Sequence, residues 1–411
     1  MENYYDILVI GGGASGFFTA INAAKGLPDK KVAILEKTKE GLNKVRISGG
    51  GRCNVTHGEF LPKPLSENYP RGEKELLGPF HKFMTGDIFA WFEERGVPLH
   101  IEEDGRAFPT TNSSQTIIDC FLQEANKYGV ECFYRTNVTR IELEGELWKV
   151  STSKEVFYAA DLVMATGSSP KVWRMLNGME YDIVDPVPSL FTFHCEDPRL
   201  EDLQGVSAET SVEVLDAKGR SVLHSHGPLL VTHWGMSGPA ILKLSAWGAR
   251  ELHALDYKFS LRINWIPTHN EESALKTLQQ LQKEEPRKKC VNTPGFDLPR
   301  RLWQRLLQTT EVEEVRWADI SKVQMQALIK ELIEGVYTID GKSTFKEEFV
   351  TAGGVALKQI NFKNFTSKRQ DNLYFVGEVL DVDAITGGFN FQHAWTSGFL
   401  VAQDLINKHS E

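Results

Sequence analysis

The chain has 411 residues, of which 41% are hydrophobic and 25% charged, and 46 basic against 55 acidic side chains leave a formal charge of −9. That size supplies buried cores for two or three domains, and the acidic balance argues against nucleic acid as the main partner. Five scattered cysteines (Cys53, Cys120, Cys132, Cys195, Cys290) form no CxxC pair, which argues against a disulfide framework or a structural zinc site and for a reducing cytoplasm.

Residues 5–10, YDILVI, predict a buried strand that breaks at glycines. Helical composition follows over 14–25, and a second buried strand over 32–35 closes at Glu36. Strand, glycine turn, helix and strand make a βαβ unit and predict a parallel sheet. The apolar stretch 7–24 is interrupted by Gly11, Gly12, Gly13 and Gly16 and has no basic leader, so neither a signal peptide nor a membrane span is expected. Two further short strands broken by glycine, DLVMATG over 161–167 and LYFVG over 373–377, predict one sheet assembled from both ends of the chain. The material between reads as antiparallel strands over 190–262, as in the alternating 210–215, and then as helices over 264–333. Thr268 with Glu271, and Ser321 with Gln324, have capping-box spacing and mark helix starts. Behind the second, Met325, Leu328, Ile329, Leu332 and Ile333 keep helical spacing and predict packing against a neighbouring helix.

The chemistry concentrates in the first glycine turn. Gly11, Gly13 and Gly16, with Ala14 and Ser15 between, fit GxGxxG directly between a strand and a helix. In that setting Gly11 permits the tight turn, Gly13 lets backbone approach a pyrophosphate and Gly16 allows close helix–strand packing. The helix N-terminus then offers free N–H groups and partial positive charge to phosphates. Glu36, about 20 residues past the last glycine, can accept from both hydroxyls of an adenosine ribose. Cofactor cues return at the other end of the chain, in GEVLDVDAITGGFN over 377–390. There Asp381 can reach a ribityl hydroxyl or the pyrophosphate, and Gly387 and Gly388 let a second helix N-terminus approach the ring system. A positive helix end would stabilise negative charge on a reduced flavin. A long cofactor held at both chain ends favours FAD over NAD. No second strand–GxGxxG–helix unit follows, so NAD(P)H, as a transient electron donor, must dock by another route.

These residues are identified with a known family: the chain resembles the YhiN/BaiN-like flavoproteins, sometimes labelled the aminoacetone oxidase family. Four segments carry the resemblance: 11–16; KVRISGGGRCNVT over 44–56; GPLLVTHWGMSGP over 227–239; and TAGGV over 351–355 running on to 377–390. The SGGGRCN stretch is the most specific of them. One departure is visible, since Phe365-Thr-Ser-Lys368 stands where the family has a TMESK-like stretch.

The resemblance implies an α/β fold: an FAD-binding Rossmann-like domain of glutathione-reductase type over 1–189 and 346–411, a β-rich inserted domain over 190–263 and 334–345, and a small helical domain over 264–333. It also implies that 48–54 lies beside the flavin. The expected cofactor set is therefore Gly11, Gly13, Ala14, Ser15, Gly16, Glu36, Lys37, Lys44, Ser48, Gly49, Gly50, Gly51, Arg52, Cys53, Asn54, Thr166, Gly167, Gly377, Glu378, Asp381, Gly387, Gly388, Phe389 and Asn390. Three successive glycines let backbone pass against a flat ring, and Arg52 offsets phosphate or reduced-flavin charge.

Arg52 and His233 are the candidate catalytic residues, His233 as an acid or base near neutral pH; each also has a purely structural reading. His393 is similarly ambiguous. Cys53 reads as a redox thiol or, more simply, a small apolar filler. His224 and His226 form an HxH pair without further ligands, so no metal is expected, and Arg287-Lys-Lys289 reads as a solvated face. The expected activity is an FAD-dependent oxidoreductase in which flavin N5 exchanges hydride with a small-molecule substrate bound between the FAD domain and the insert. The family suggests two reactions: reduction of a carbon–carbon double bond conjugated to a ketone, as in bile-acid intermediates, towards which the reading leans, and oxidation of a small amine by oxygen. A flavin-binding redox sensor and an NAD-dependent dehydrogenase remain as other readings. An RNA-modifying flavoenzyme is less expected, given the acidic balance and no evident basic–aromatic stripe.

Overall fold

A computed structural model describes residues 3–343 and 350–410. The chain forms two compact units, Met1–Pro186 with Thr351–Glu411, and Val187–Val350. The expected domain boundary between 345 and 346 lies outside the described residues.

The first unit begins with β1 (Tyr4–Ile10), α1 (Ala14–Gly26) and β2 (Val32–Leu35). From Ile7 onward β1 is buried at every position, as befits a parallel strand covered on both faces. Each such aliphatic side chain contributes about 1.5–3 kcal/mol on burial. There follow α2 (Asn43–Gly51), β3 (Thr56–His57), α3 (Pro62–Ser66), α4 (Glu73–Phe80), α5 (Thr85–Glu93), β4 (Leu99–Ile101), β5 (Arg106–Pro109) and α6 (Ser114–Lys127). Then come β6 (Glu131–Phe133), β7 (Val138–Glu144), β8 (Leu147–Thr152), β9 (Val156–Met164), α7 (Pro170–Gly178) and β10 (Ile183–Ser189), whose last three residues belong to the second unit.

The second unit contains β11 (Phe193–His194), β12 (Ser207–Leu215), β13 (Ser221–Thr232), β14 (Gly235–Ser237), α8 (Pro239–Trp247), α9 (Ala249–Ala254) and β15 (Phe259–Asn264). It continues through α10 (Glu271–Glu284), α11 (Arg300–Thr309), α12 (Lys322–Glu334), β16 (Gly335–Ile339) and β17 (Gly341–Lys342). The chain re-enters the first unit along β18 (Val350–Val355), then forms β19 (Ile360–Asn361), β20 (Thr366–Ser367), β21 (Leu373–Phe375) and the long α13 (Phe389–Ser410).

The main sheet of the first unit runs β19-β20-β21-β9-β1-β2-β6, with the β7–β8 hairpin joined to β9. β1 pairs in parallel with β2, Ile7 opposite Val32, and with β9, Ile7 opposite Asp161. β21 adds to β9 in parallel, Leu373 opposite Leu162. One sheet is thus built from both chain ends, as the repeated strand-then-glycine form predicts. The stretch that departs from the family pattern, 365–368, contains the short antiparallel strand β20. Helix α13 is seated by an aromatic cluster in which Phe18 lies 5.3 Å and Phe121 5.5 Å from Trp395, ring to ring. Its far end is pinned where Lys408 Nζ and His409 Nε2 each lie 2.7 Å from the buried Asp161 carboxylate.

In the second unit an antiparallel sheet runs β16-β15-β12-β13-β14-β11-β17. Its inward residues, such as Val212 and Leu261, share one core with Leu302 of α11 and Leu328 and Leu332 of α12. The cap of α12 is the expected one, Ser321 with Gln324. The cap of α10 is not. Asn270 Oδ1 accepts from Ser273 N at 2.9 Å, and Ser273 Oγ accepts from Asn270 N at 2.9 Å. Thr268 instead pairs with the His269 ring. Asn caps at least as well as Thr and stands next to the first helical residue, so the helix starts there.

Candidate functional site

The turn between β1 and α1 is shaped by backbone proximity. Gly11 has φ +110°, and a Cβ on it would lie 2.3 Å from the Ala165 carbonyl oxygen at the end of β9. A Cβ on Gly16 would lie 2.0 Å from the Gly11 carbonyl oxygen. At Gly13, in contrast, an added Cβ meets no atom within 4 Å. Gly13 is also the N-cap of α1 and contributes no side-chain cap, so the first-turn N–H groups at Ala14 and Ser15 are left to an outside acceptor.

Glu36, at the end of β2, is already engaged. Its Oε2 accepts from Gly12 N at 2.8 Å, and its Oε1 accepts from Thr38 N at 2.8 Å and Thr38 Oγ1 at 2.6 Å. A carboxylate has about four acceptor positions, so roughly one remains for a ligand hydroxyl rather than the pair expected. Beside it opens a cleft of ≈ 120 Å³ whose walls include Glu36, Lys37, Val138, Thr166 and Lys171. Lys171 Nζ donates to the Val138 carbonyl at 3.0 Å. The Thr166 hydroxyl oxygen is buried there with no protein partner among the described residues, an orphan that a bound polar group would satisfy. Gly167 follows with φ +58°.

The SGGGRCN segment breaks α2 from within. Ser48 is extended, and Gly49, Gly50 and Gly51 are left-handed at φ +56°, +68° and +84°. All three glycines are exposed, and added Cβ atoms on Gly50 and Gly51 meet nothing within 4 Å. Three successive positive φ values favour residues without a Cβ, and the segment presents bare backbone. Asn54 ties the segment to the C-terminal loop: with its amide turned to suit its neighbours, its oxygen accepts from Gly388 N at 3.0 Å. Gly388 has φ +94°, and a Cβ there would lie 2.5 Å from the Thr56 carbonyl carbon and oxygen.

The loop from Gly377 to Asn390 is held on several sides. Gly377 N donates to Ser397 Oγ at 3.1 Å, and the Gly377 carbonyl lies 3.3 Å from His393 Nε2. Glu378 forms an ion pair with Lys44, while Asp381 is buried and its N–H donates to the Val355 carbonyl at 3.1 Å. Asn390 clasps the loop from inside, with Oδ1 accepting from Ala384 N at 3.1 Å and Nδ2 donating to the Ala384 carbonyl at 3.2 Å. Phe389 stacks on His57 with ring centres 4.6 Å apart. Burial lowers the His57 imidazole and pushes His393 down to about 4, so both are neutral at ordinary pH.

The candidate catalytic residues fall in different surroundings. Arg52 Nη1 donates to Glu102 Oε1 at 2.6 Å, and its guanidinium lies 3.8 Å from the centre of the Phe108 ring. That contact holds the Glu102 carboxyl below its usual range. Arg52 is thus in the structural ion pair that was its other reading. His233 belongs to the second unit, exposed in the turn between β13 and β14. Cys53 is fully buried, and burial pushes its thiol up to about 12, so it acts as packing rather than as a thiolate. His224 and His226 are exposed on β13, and no cluster of three or more His, Cys, Asp or Glu side chains suited to a metal occurs among the described residues. The residues that sequence reading missed are Arg71, Tyr69 and His57, which brace the C-terminal loop. Asp383 sits inside the recognised GEVLDVDAITGG stretch, but no local signal marks its partner Arg71.

Set against known proteins, the sequence profile described as the HI0933-like protein Rossmann domain matches residues 5–404. A Haemophilus influenzae protein named ribosomal RNA dihydrouridine synthase is 29% identical, over 98% of this chain and 99% of its own length. A Clostridium scindens protein named 3-dehydro-bile acid delta(4,6)-reductase is 24% identical, over 96% and 97% respectively. Among solved structures, 3-ketosteroid-delta4-(5alpha)-dehydrogenase from Rhodococcus jostii RHA1 is similar with a TM-score of 0.51 at 13% identity, over 98% of this chain and 97% of that one. That last likeness is one of fold.

Proposed function

The chain belongs to the HI0933-like Rossmann-domain family, and from that premise we propose that it is an FAD-dependent reductase of a carbon–carbon double bond conjugated to a carbonyl. The observation that carries the cofactor is the cradle in the first unit, where an uncapped helix N-terminus, the empty space over Gly13 and the orphaned Thr166 hydroxyl adjoin Glu36. The first-turn N–H groups of α1 hold the pyrophosphate, and Glu36 with the cleft beside Lys37 and Val138 takes the adenosine. Ser48 to Gly51 lie along the ring system. The N-terminus of α13, behind Gly387 and Gly388, places a partial positive charge where a reduced flavin becomes negative. FAD, when bound, supplies hydride exchange between its ring N5 and a substrate carbon.

The direction of the reaction is supported by the relatives. One is named for reducing a bile acid, the other for making dihydrouridine. Uracil carries its C5–C6 double bond in conjugation with the C4 carbonyl, so both names describe delivery of hydrogen across the same kind of conjugated bond. A second reading follows from the higher identity of the dihydrouridine synthase: the conjugated ring is a uracil in ribosomal RNA, against the expectation of a small-molecule substrate and no nucleic-acid partner. NAD(P)H is the proposed donor, docking transiently.

The test is a single turnover without oxygen. Protein reduced with dithionite is mixed with a cyclic enone or with ribosomal RNA, and the flavin band and products are followed. Recovery of the oxidised band with saturated ketone supports the first substrate, and dihydrouridine in digests of the RNA supports the second. Bleaching of the oxidised protein by a small amine, with no reoxidation by either acceptor, contradicts the reductase.

A further inference from the structure

The C-terminal loop that leads into α13 is braced by a segment more than three hundred positions earlier in the chain. Arg71 and Asp383 form a buried two-pronged ion pair, Nε and Nη2 of the guanidinium each donating to a different carboxylate oxygen. The Asp383 side chain is wholly buried and that of Arg71 is 12% exposed. The two residues also face each other in an antiparallel β-bridge. On either side of them the same segment makes further contacts: Ile385 N donates to the Asn68 carbonyl at 3.0 Å, and Tyr69 Oη donates to the Phe389 carbonyl at 2.6 Å. Gly72, at φ +99°, lies so close that an added Cβ would be 3.0 Å from Val382.

We propose that Arg71 is a positioning residue for the flavin, acting through Asp383 to fix the loop that carries Asp381, Gly387 and Gly388. This rests on the FAD reading given above. The case begins from the cost of the pair. Two charges out of water contribute little net stability, and an apolar pair of similar volume commonly serves as well or better. What an apolar pair lacks is direction. A planar guanidinium gripping both carboxylate oxygens fixes distance and angle together, and it does so midway between the buried Asp381 and the glycines before α13. The Asn68 carbonyl and the Tyr69 hydroxyl brace the same loop at Ile385 and Phe389, while the ion pair grips it at Asp383, two residues from Asp381. Arg71 therefore sets where the Asp381 carboxylate and the Gly387–Gly388 backbone stand relative to a bound ring.

Binding of FAD to the apoprotein, read by quenching of flavin fluorescence, and the visible circular dichroism of the bound flavin test this. The variants are Arg71→Met, Arg71→Lys and the double variant Arg71→Met with Asp383→Leu, with thermal melting of each apoprotein alongside. The double variant removes the unpaired buried charge and recovers melting to near that of the wild type. The expected result is that all three bind FAD at least tenfold more weakly and show an altered flavin dichroism, the double variant included. If the double variant recovers both melting and flavin binding with the wild-type dichroism, the pair is only structural and the proposal fails. If the wild-type apoprotein itself does not bind FAD, it is the cofactor reading that fails.

Discussion

A methyl group built on Gly16 lies 2.0 Å from the Gly11 carbonyl oxygen, whereas one on Gly13 meets no protein atom within 4 Å. The same motif therefore holds two different demands, packing at one glycine and access at the other. Gly16→Ala is expected to destabilise the protein by about 3 kcal/mol, since backbone must shift to admit the methyl. Gly13→Ala should leave apoprotein melting within about 0.5 kcal/mol of the wild type and yet weaken FAD binding strongly, because its methyl occupies the pyrophosphate approach. Equal loss of melting in both, measured by denaturant unfolding without cofactor, contradicts this division. His393 gives a pH signature at the same scale. Burial depresses its imidazole from 6.5 to about 4, so between those values the unfolded chain binds a proton that the folded chain refuses. The stability it allows is present above pH 6.5 and is lost as the pH falls towards 4, by about 1.4 kcal/mol per pH unit and about 3 kcal/mol in all. His393→Asn should show a shallower loss of stability over that window than the wild type; identical slopes would falsify the assignment.

The strands β1, β2, β9 and β21 were legible because a doubly covered parallel strand reads as an unbroken apolar run ending in a turn residue. The glycine turn was legible because its spacing is set by one geometry. The start of α10 was misread, since Thr268 and Glu271 have the right spacing while Asn270, with Ser273, makes the bonds. Asn270→Ala should thus cost about 1 kcal/mol and Thr268→Ala less than about 0.5 kcal/mol, as read from urea midpoints; the reverse order would mean that the helix begins earlier. The glycines proposed to face the cofactor are also visible in sequence, whereas what braces them is not. Arg71 and Asp383 are separated by 312 positions, and no local period or propensity links residues that meet only through the tertiary fold. Arg52 is a second case: its place in a glycine-rich segment suggests an anion partner, and the partners within the protein, Glu102 and Phe108 from the neighbouring β4–β5 hairpin region, carry no local signal in the sequence.

At the scale of the whole molecule, the first and last parts of the chain build one unit and one sheet, and the intervening stretch folds into a second unit with its own core. The proposed cradle draws on the β1–α1 turn, the break in α2, the end of β9 and the loop before α13, all of them segments of the first unit. Because FAD binds the folded state, it should raise stability by about 2.7 kcal/mol at a free concentration one hundred times its Kd. The central claim, an FAD protein that accepts electrons for reduction, is tested most directly by the visible spectrum of the purified protein without oxygen, before and after NADH or NADPH. A flavin band that bleaches on addition of the nicotinamide is the predicted result. Absence of a flavin band even after reconstitution with FAD would contradict the account at its base, and a band that stays oxidised with both donors would contradict the proposed reductase.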